Sequence, residues 1–198
     1  MTPDQIVAAA THLFAERGVS GTSLQDVADA VGIRKQSLLY HFPSKEDLRQ
    51  GVLDHMLSRW SDVLPRLLMA ASSGEGQFDA VIAETVGFFA AAPDRARLLL
   101  REVLDRPDDI RSMMDARVQP WVAVVSGYIR KGIERGTTPP DTDPEAYVLI
   151  VINLILSCVA TADCFGGLVE PRRMVAEVLR VAKSSLFIPA PAPKASPP

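Results

Sequence analysis

The stretch from Gly32 to Leu48 reads GIRKQSLLYHFPSKEDL, and it decides the fold of the first quarter of the chain. Its first glycine follows an amphipathic segment and permits the positive φ that ends a helix. A very short helix is predicted from Lys35 to Tyr40, and its outward side chains are nearly all cations or hydrogen-bonding groups. Pro43 and Ser44 then stop this helix and cap the next one. Two helices joined by a tight turn, the second of them short and polar, are typical of a helix-turn-helix.

Apolar spacing predicts an all-α protein of about nine helices, because no stretch shows the alternation typical of strands. Residues 1–47 are expected to form a three-helix DNA-binding head of the helix-turn-helix type. Residues 48–187 are expected to form a larger helical body, with a long fourth helix joining it to the head. Residues 188–198 contain five prolines and are expected to be a disordered tail.

The net charge of −3 does not indicate a nucleic-acid partner, and the first fifty residues carry five cations against six acids. DNA binding must therefore depend on the local placement of cations. No secretion signal is visible, so a cytoplasmic protein is expected. The apolar segment Ala146 to Phe165 has the length of a membrane span, but Asn153 and Asp163 interrupt it. It is predicted to be buried between the body and a partner subunit, not to enter a membrane.

The third helix carries the candidate DNA contacts. Lys35 and Gln36 have the chemistry to pair with guanine and adenine edges, and the other candidates suit phosphates or bases. The set is Lys35, Gln36, Ser37, Tyr40 and His41, with Lys45 at the start of the fourth helix. The alternative is that these are ordinary solvated residues on a short surface helix.

Three runs of residues resemble the tetracycline-repressor (TetR) family of transcriptional regulators. They are IxxAAxxLFxxxG from Ile6 to Gly18, GTSLxxVAxxVGI from Gly21 to Ile33, and KxSLxxHFPSKExL from Lys35 to Leu48. The resemblance implies that the same six side chains contact double-stranded operator DNA. It also implies a phosphate contact near Thr22 or Ser23, where the second helix begins.

Two positions depart from the family pattern. Leu39 stands where a tyrosine is usual, so one phosphate hydrogen bond is absent. Arg34 stands where a serine or threonine usually caps the third helix, and its charge is expected to offset that loss.

The resemblance also implies that residues 48–187 are a ligand-binding and dimerising body. In that family a small molecule binds inside this body and changes the spacing of two heads. Aromatic and polar residues at expected core-facing positions are the candidates for such an effector site. They are Trp60, Leu64, Phe88, Phe89, Met114, Trp121, Val125, Tyr128, Asn153 and Ser157. For each of them, simple packing in the core is the alternative.

A homodimer is expected, because one short helix makes few base contacts and two half-sites double them. The predicted interface combines the eighth helix with Val178, Val181, Ala182 and Leu186 of the ninth. The rival interpretation is a helical ligand-binding or scaffolding protein with weakened or lost DNA binding. An enzyme is not expected, since the histidines lack partners at metal-ligand spacing and no glycine-rich phosphate loop appears. No metal or cofactor site is predicted.

Overall fold

The computed structural model describes residues 2–70 and 75–187, without the side chains of residues 61–70 and 75–77. Within these ranges it contains helices and no strand, which confirms the all-α prediction. The helices are α1 (Pro3–Arg17), α2 (Leu24–Val31), α3 (Lys35–His41), α4 (Lys45–Ala70), α5 (Glu75–Ala90), α6 (Pro93–Asp105), α7 (Pro107–Met113), α8 (Gln119–Glu134), α9 (Pro144–Ala160), α10 (Ala162–Phe165) and α11 (Pro171–Leu186). The predicted tail, residues 188–198, lies outside the described residues.

The predicted seventh helix is divided by a π-helical segment, Met114–Val118, between α7 and α8. Pro120 explains the division, because it has no amide hydrogen for the carbonyl of Ala116 and its ring crowds that carbonyl. The predicted eighth helix ends at Ala160, and the short α10 follows it. The predicted eighth and ninth helices therefore correspond to α9 and α11.

The head is formed by α1, α2, α3 and the first turns of α4 around one apolar core. Phe14, Val27, Leu38 and Leu48 are each fully buried in this core. Helix α2 begins with a capping box, in which the Asp26 amide donates to Ser23 Oγ at 3.1 Å. These local features hold α3 in a fixed orientation on the head.

The turn between α2 and α3 has the geometry that its glycine predicts. Gly32 has a φ of 76° and a ψ of 35°, which lies in the left-handed region that glycine adopts without strain. The amide of Ile33 donates to the carbonyl of Ala28 at 2.9 Å and closes the turn. Only residues 32–34 separate the two helices, so their relative orientation is well defined.

The body packs α5, α6, α8, α9 and α11 around two further apolar clusters. Phe89 of α5, Ile155 of α9 and Val178 of α11 are buried in the first of them. Trp121 of α8 and Leu186 of α11 are buried in the second. Among the described helices, none combines the length and hydropathy that crossing a lipid bilayer would require.

Helix α6 joins the head to the body through polar as well as apolar contacts. Leu98 enters the head core. Arg101 Nε donates to the carbonyl of Ala15 at 3.0 Å, close to the carboxyl end of α1. Helix α6 is therefore fixed to α1 along its length.

A buried ion pair completes this junction. Arg49 of α4 donates through Nη1 to Glu102 of α6 at 2.5 Å, and both side chains are almost fully buried. Arg49 also donates to Glu46 and to Asp109, which surround the guanidinium with acceptors. These hydrogen bonds outweigh burial and raise the pKa of Arg49, while its hydrogen bond to Glu46 lowers the pKa of that carboxyl. The pair connects α4, which leaves the head, to α6, which packs against the head.

Replacing Glu102 with alanine is expected to lower the free energy of unfolding by about 3 kcal/mol, because it removes the buried partner of a buried cation. Urea unfolding followed by circular dichroism measures this change. The matched control is the double replacement of Arg49 with methionine and Glu102 with leucine, which is expected to recover most of the loss. A Glu102→Ala loss below about 1 kcal/mol would contradict the assigned role.

Candidate nucleic-acid interface and aromatic cluster

Helix α3 has one buried face and one fully polar face. Leu38 is completely buried and anchors the helix to the head. The candidate contact residues all lie on the exposed side, and Tyr40 is 86% exposed. They are Lys35, Gln36, Ser37, Tyr40 and His41, together with Arg34, which precedes the helix without a side-chain capping bond. The structure therefore gathers these six side chains on one accessible surface.

Two acids of the head that cap helices have hydrogen-bond partners of their own. Asp26 accepts hydrogen bonds from the Ser23 hydroxyl and amide, each at 2.7 Å, and these lower the pKa of its carboxyl. Asp47 accepts a hydrogen bond from the Ser44 hydroxyl at 2.7 Å. Within the described part of the chain, neither Arg34 nor Lys35 has a carboxylate at ion-pair distance. The exposed face of α3 is therefore locally cationic although the chain as a whole is acidic.

The structure corrects the expected role of Thr22. Its side chain is 1% exposed, and its hydroxyl donates to the carbonyl of Gly18 at 2.9 Å. The hydroxyl therefore stabilises the loop between α1 and α2 and is not available to a phosphate. Ser23 is exposed, so it is the residue of this pair that a phosphate can reach.

Lys45 has a structural role that its position in the sequence does not reveal. Its ammonium donates to the carbonyls of Val19 and Thr22 at 3.0 and 3.2 Å. It therefore fixes the loop before α2 against the start of α4. One of its three donors remains for a phosphate.

The body brings together four of the predicted effector-site residues. Ring centroids lie 5.1 Å apart for Trp60 and Phe88, 6.1 Å for Trp60 and Phe89, and 5.5 Å for Trp60 and Trp121. These four rings come from α4, α5 and α8, and we call them the aromatic cluster. Phe89 and Trp121 are buried, whereas Trp60 and Phe88 are half-buried. The cluster thus reaches from the core towards solvent.

The indole of Trp121 has an unusual environment within the aromatic cluster. Its side chain is buried, with 5% exposed, yet its Nε1 has no hydrogen-bond acceptor among the described residues. A buried N–H without an acceptor is costly, and an ordered water or another bound molecule is one way to satisfy it. The aromatic cluster therefore contains both apolar surface and an unused donor.

The other predicted effector-site residues have different positions. Met114, Val125 and Tyr128 are half-buried, and Tyr128 lies beneath the ammonium of Lys131 at 5.7 Å. The side chain of Leu64 lies outside the described residues. The expectation of core-facing positions was wrong for Asn153 and Ser157, which are exposed on α9.

The exposed face of α9 is mostly apolar. Leu149, Ile150 and Leu154 are 46%, 59% and 37% exposed, and Asn153 lies between them with its amide donating to the carbonyl of Leu149. These residues recur at intervals of three and four, so they form one stripe along the helix. We call this stripe the α9 apolar face.

The predicted contribution of α11 to an interface was wrong for three of its four residues. Val178, Ala182 and Leu186 are buried within the protomer. They pack towards α5, α8 and α9, so they are not available to a second subunit. Val181 is 42% exposed and remains available.

Sequence reasoning did not identify the pairing of Arg49 with Glu102. A signal was present, because Arg49 shares one helical face with Val52, Leu53 and Met56, all of them apolar. A cation on an apolar face requires a buried acceptor. The identity of that acceptor, fifty-three residues away, required the tertiary structure.

Two lysines of the head are predicted to behave differently in DNA binding. Replacing Lys35 with alanine is expected to flatten the dependence of log duplex affinity on log salt by about one unit without lowering stability. Replacing Lys45 with alanine is expected to flatten the slope similarly and to lower the free energy of unfolding by about 2 kcal/mol, because two carbonyls lose a charged donor. Fluorescence anisotropy with duplex DNA and urea unfolding measure the two effects.

The control for these lysines is replacement of Lys131 with alanine on α8, which is expected to leave the salt slope unchanged. An unchanged slope for the Lys35 variant would contradict the assignment of α3 as the DNA-contacting helix.

Comparison with known proteins identifies the family. The model described as "Bacterial regulatory proteins, tetR family" matches residues 6–52, and "Tetracyclin repressor-like, C-terminal domain" matches residues 97–178. The HTH-type transcriptional repressor KstR2 of Mycobacterium tuberculosis (strain ATCC 25618 / H37Rv) is 30% identical over 151 residues, covering 70% of each chain. Both domain models and this relative therefore indicate the same family.

Solved structures show the same fold at low identity. The KstR2 structure from Mycobacterium tuberculosis has a TM-score of 0.73 at 19% identity and covers 94% of this chain and 95% of its own. A regulator from Saccharomonospora viridis in complex with choline has a TM-score of 0.72 at 18% identity, covering 94% and 98%. FadR from Bacillus subtilis in complex with stearoyl-CoA has a TM-score of 0.71 at 16% identity, covering 93% and 99%. With the domain matches, these findings show that the chain belongs to the TetR family and is a DNA-binding transcriptional regulator.

Proposed function

We propose that this regulator is a homodimeric repressor, which binds a palindromic operator and is released by a small, largely hydrophobic effector. The observation that carries the DNA-binding part is the polar face of α3, fully exposed on a helix whose opposite side is anchored by the buried Leu38. A dimer would place the two α3 helices in successive major grooves.

Within each half-site, α3 supplies both base-reading and phosphate-binding groups. Lys35 and Gln36, in the first turn, have the donors and acceptors that guanine and adenine edges require. Ser37, Tyr40 and His41 suit phosphate oxygens, as does Ser23 at the amino end of α2. Arg34 adds a cation immediately before α3. Leu39, which replaces the tyrosine usual in the family, is half-buried within α3.

The α9 apolar face supports dimerisation. Three large aliphatic side chains in one stripe are costly to leave in water, and a second copy of the same stripe covers them symmetrically. Asn153 lies within this stripe and would be placed to hydrogen-bond across the dimer axis. Val181 is the residue of α11 that remains available to extend the contact.

The aromatic cluster is the proposed effector site. Trp60 and Phe88 are half-buried at its edge, and Trp121 offers an unused donor deeper inside. Two regulators with the same fold have been solved in complexes with small molecules, one with choline and one with stearoyl-CoA. Apolar walls with few polar groups suit a largely hydrophobic guest.

Helix α4 links the two proposed sites. Trp60 belongs to the aromatic cluster, and Arg49 is held at the head junction, eleven residues earlier on the same helix. This separation corresponds to about 16 Å along the helix axis. An effector that binds better to one position of α4 than to another would change the position of the head.

Residues 1–47 would then be the DNA-binding domain and residues 48–187 the effector-binding and dimerising domain, as the sequence predicts. Since chromosomal DNA is the target, we place the protein in the cytoplasm.

Selection of bound duplexes from a random pool tests the proposed operator. We expect enrichment of palindromic sequences whose half-sites lie about one helical turn apart, because two symmetric α3 helices read them. Enrichment of a single half-site would contradict the dimeric arrangement. Absence of any enrichment would favour the alternative of a helical ligand-binding protein without DNA binding.

Replacing Ile150 with glutamate tests the proposed interface, since it places two charges in the centre of the dimer contact. The variant is expected to elute as a monomer in size-exclusion chromatography with light scattering, and to bind the selected operator at least about 10-fold more weakly. The matched control is Leu104→Glu, because Leu104 is a large aliphatic residue that is 80% exposed on a different helix, α6. A dimeric Ile150→Glu variant would contradict the proposed interface.

A further inference from the structure

Two arginines lie beside the aromatic cluster, and the functions described above do not use them. Arg95 of α6 places its guanidinium carbon 4.8 Å from the centroid of Phe88, and its Nη1 donates to the Phe88 carbonyl at 2.8 Å. Arg59 precedes Trp60 on α4 and lies close enough for its charge to act on Arg95. Arg95 thus lies on the half-buried ring of Phe88, and the exposed Arg59 of α4 supplies a second cation within electrostatic range of it.

Neither cation is neutralised by the part of the chain that the structure describes. The ion pairs of that part do not include Arg59 or Arg95, although most other arginines of the body have a carboxylate partner. Arg95 uses one donor on a carbonyl, and a guanidinium has five. Several donors and two positive charges therefore remain for a bound group.

The proximity of the two charges has an energetic cost. Burial lowers the pKa of the Arg95 guanidinium, and the charge of Arg59 lowers it further. Proteins normally relieve such repulsion with a carboxylate, and the described residues supply none here. An anion placed between the two side chains would remove the repulsion and gain charge-assisted hydrogen bonds.

A second and independent observation concerns the inner end of the same cluster. Trp121 has a buried Nε1 without an acceptor, on the ring that stacks edge-on with Trp60. A molecule that contributes hydrogen-bond acceptors and negative charge would satisfy both the unused donor inside the aromatic cluster and the unused cations at the edge of the cluster.

We propose that the effector is an amphipathic anion, with a carboxylate or phosphate group between Arg59 and Arg95 and an apolar body against the aromatic cluster. This inference rests on the proposed function, since it assigns a chemical class to the ligand of the proposed effector site. A guest with a positive head group is disfavoured here, because it would approach two unneutralised guanidiniums.

The same geometry connects the anion to the head. Arg59 belongs to α4, which leaves the head, and Arg95 belongs to α6, which lies beneath it. An anion that binds both arginines draws α4 towards the amino end of α6. Because the Arg49 and Glu102 pair joins the same two helices nearer the head, this displacement is transmitted to α3.

Octanoate, octyl phosphate and octan-1-ol test the proposal, because they share one alkyl chain and differ in the head group. Tryptophan emission reports binding directly, since the two tryptophans of the chain, Trp60 and Trp121, both belong to the aromatic cluster. Both anions are expected to bind the full-length protein at least about 10-fold more tightly than the alcohol. The stronger of the two anions identifies the preferred group.

Replacing Arg59 or Arg95 with glutamine is expected to weaken anion binding about 10-fold or more and to leave octan-1-ol affinity within about 2-fold. Arg95→Lys keeps the charge and is expected to retain part of the anion affinity. Arg111→Gln is the matched control, because Arg111 is a 72% exposed arginine of α7, and it is expected to change nothing.

Equal affinity for the alcohol and both anions would overturn the proposal. It would also be overturned if none of the three compounds changed the tryptophan emission. Unchanged anion affinity in both glutamine variants would overturn it as well. Operator binding of the Arg59 and Arg95 variants, measured without ligand, is expected to equal that of the wild type. If the anions do not bind as expected but the operator is still bound, the anion proposal is wrong and the repressor function stands. If the wild-type protein selects no operator, the proposed repressor function itself is wrong.

Discussion

The contact on which the rest of the structure depends is the buried ion pair between Arg49 and Glu102. It fixes α4, the helix that leaves the head, to α6, the helix on which the head lies. Removing Arg49 would leave Glu102 as an unpaired buried charge, and removing Glu102 would leave Arg49 with only the exposed Glu46 and Asp109. The two helices therefore separate only at a large cost. The head is therefore attached firmly to the body, and we expect a displacement of α4 in the body to reach α3.

The distribution of charge explains how an acidic chain can recognise DNA. In the head, Asp26 and Asp47 serve as helix caps and Glu46 pairs with Arg49 and Arg106, which leaves the exposed face of α3 cationic. Within the described part of the body, Arg59 and Arg95 are among the arginines without a carboxylate partner, and Arg95 lies on the aromatic cluster. Cations that have no carboxylate partner among the described residues thus lie at both the DNA-contacting surface and the proposed anion site, where a negatively charged partner would bind.

The head was predictable because its determinants are local. The Ser23 cap, the left-handed Gly32 and the spacing of Leu38 each act over a few residues, and the structure shows all three. The body was less predictable, since a helix as apolar as α9 gives no periodicity that separates core from interface, and Asn153 and Ser157 were placed on the wrong side. For α11 the apolar stripe was correct, but it packs within the protomer. The Arg49 and Glu102 pair depends on tertiary contact between distant residues, which no local pattern contains.

The central claim is that the aromatic cluster and the operator surface are coupled through α4 and α6. Thermodynamic linkage tests it most directly: the affinity of the better-binding octyl anion is measured by tryptophan emission in the presence and absence of saturating operator duplex. Coupling requires that operator weakens anion binding by the same factor by which the anion weakens operator binding. An anion affinity that is unchanged by the operator would contradict the account.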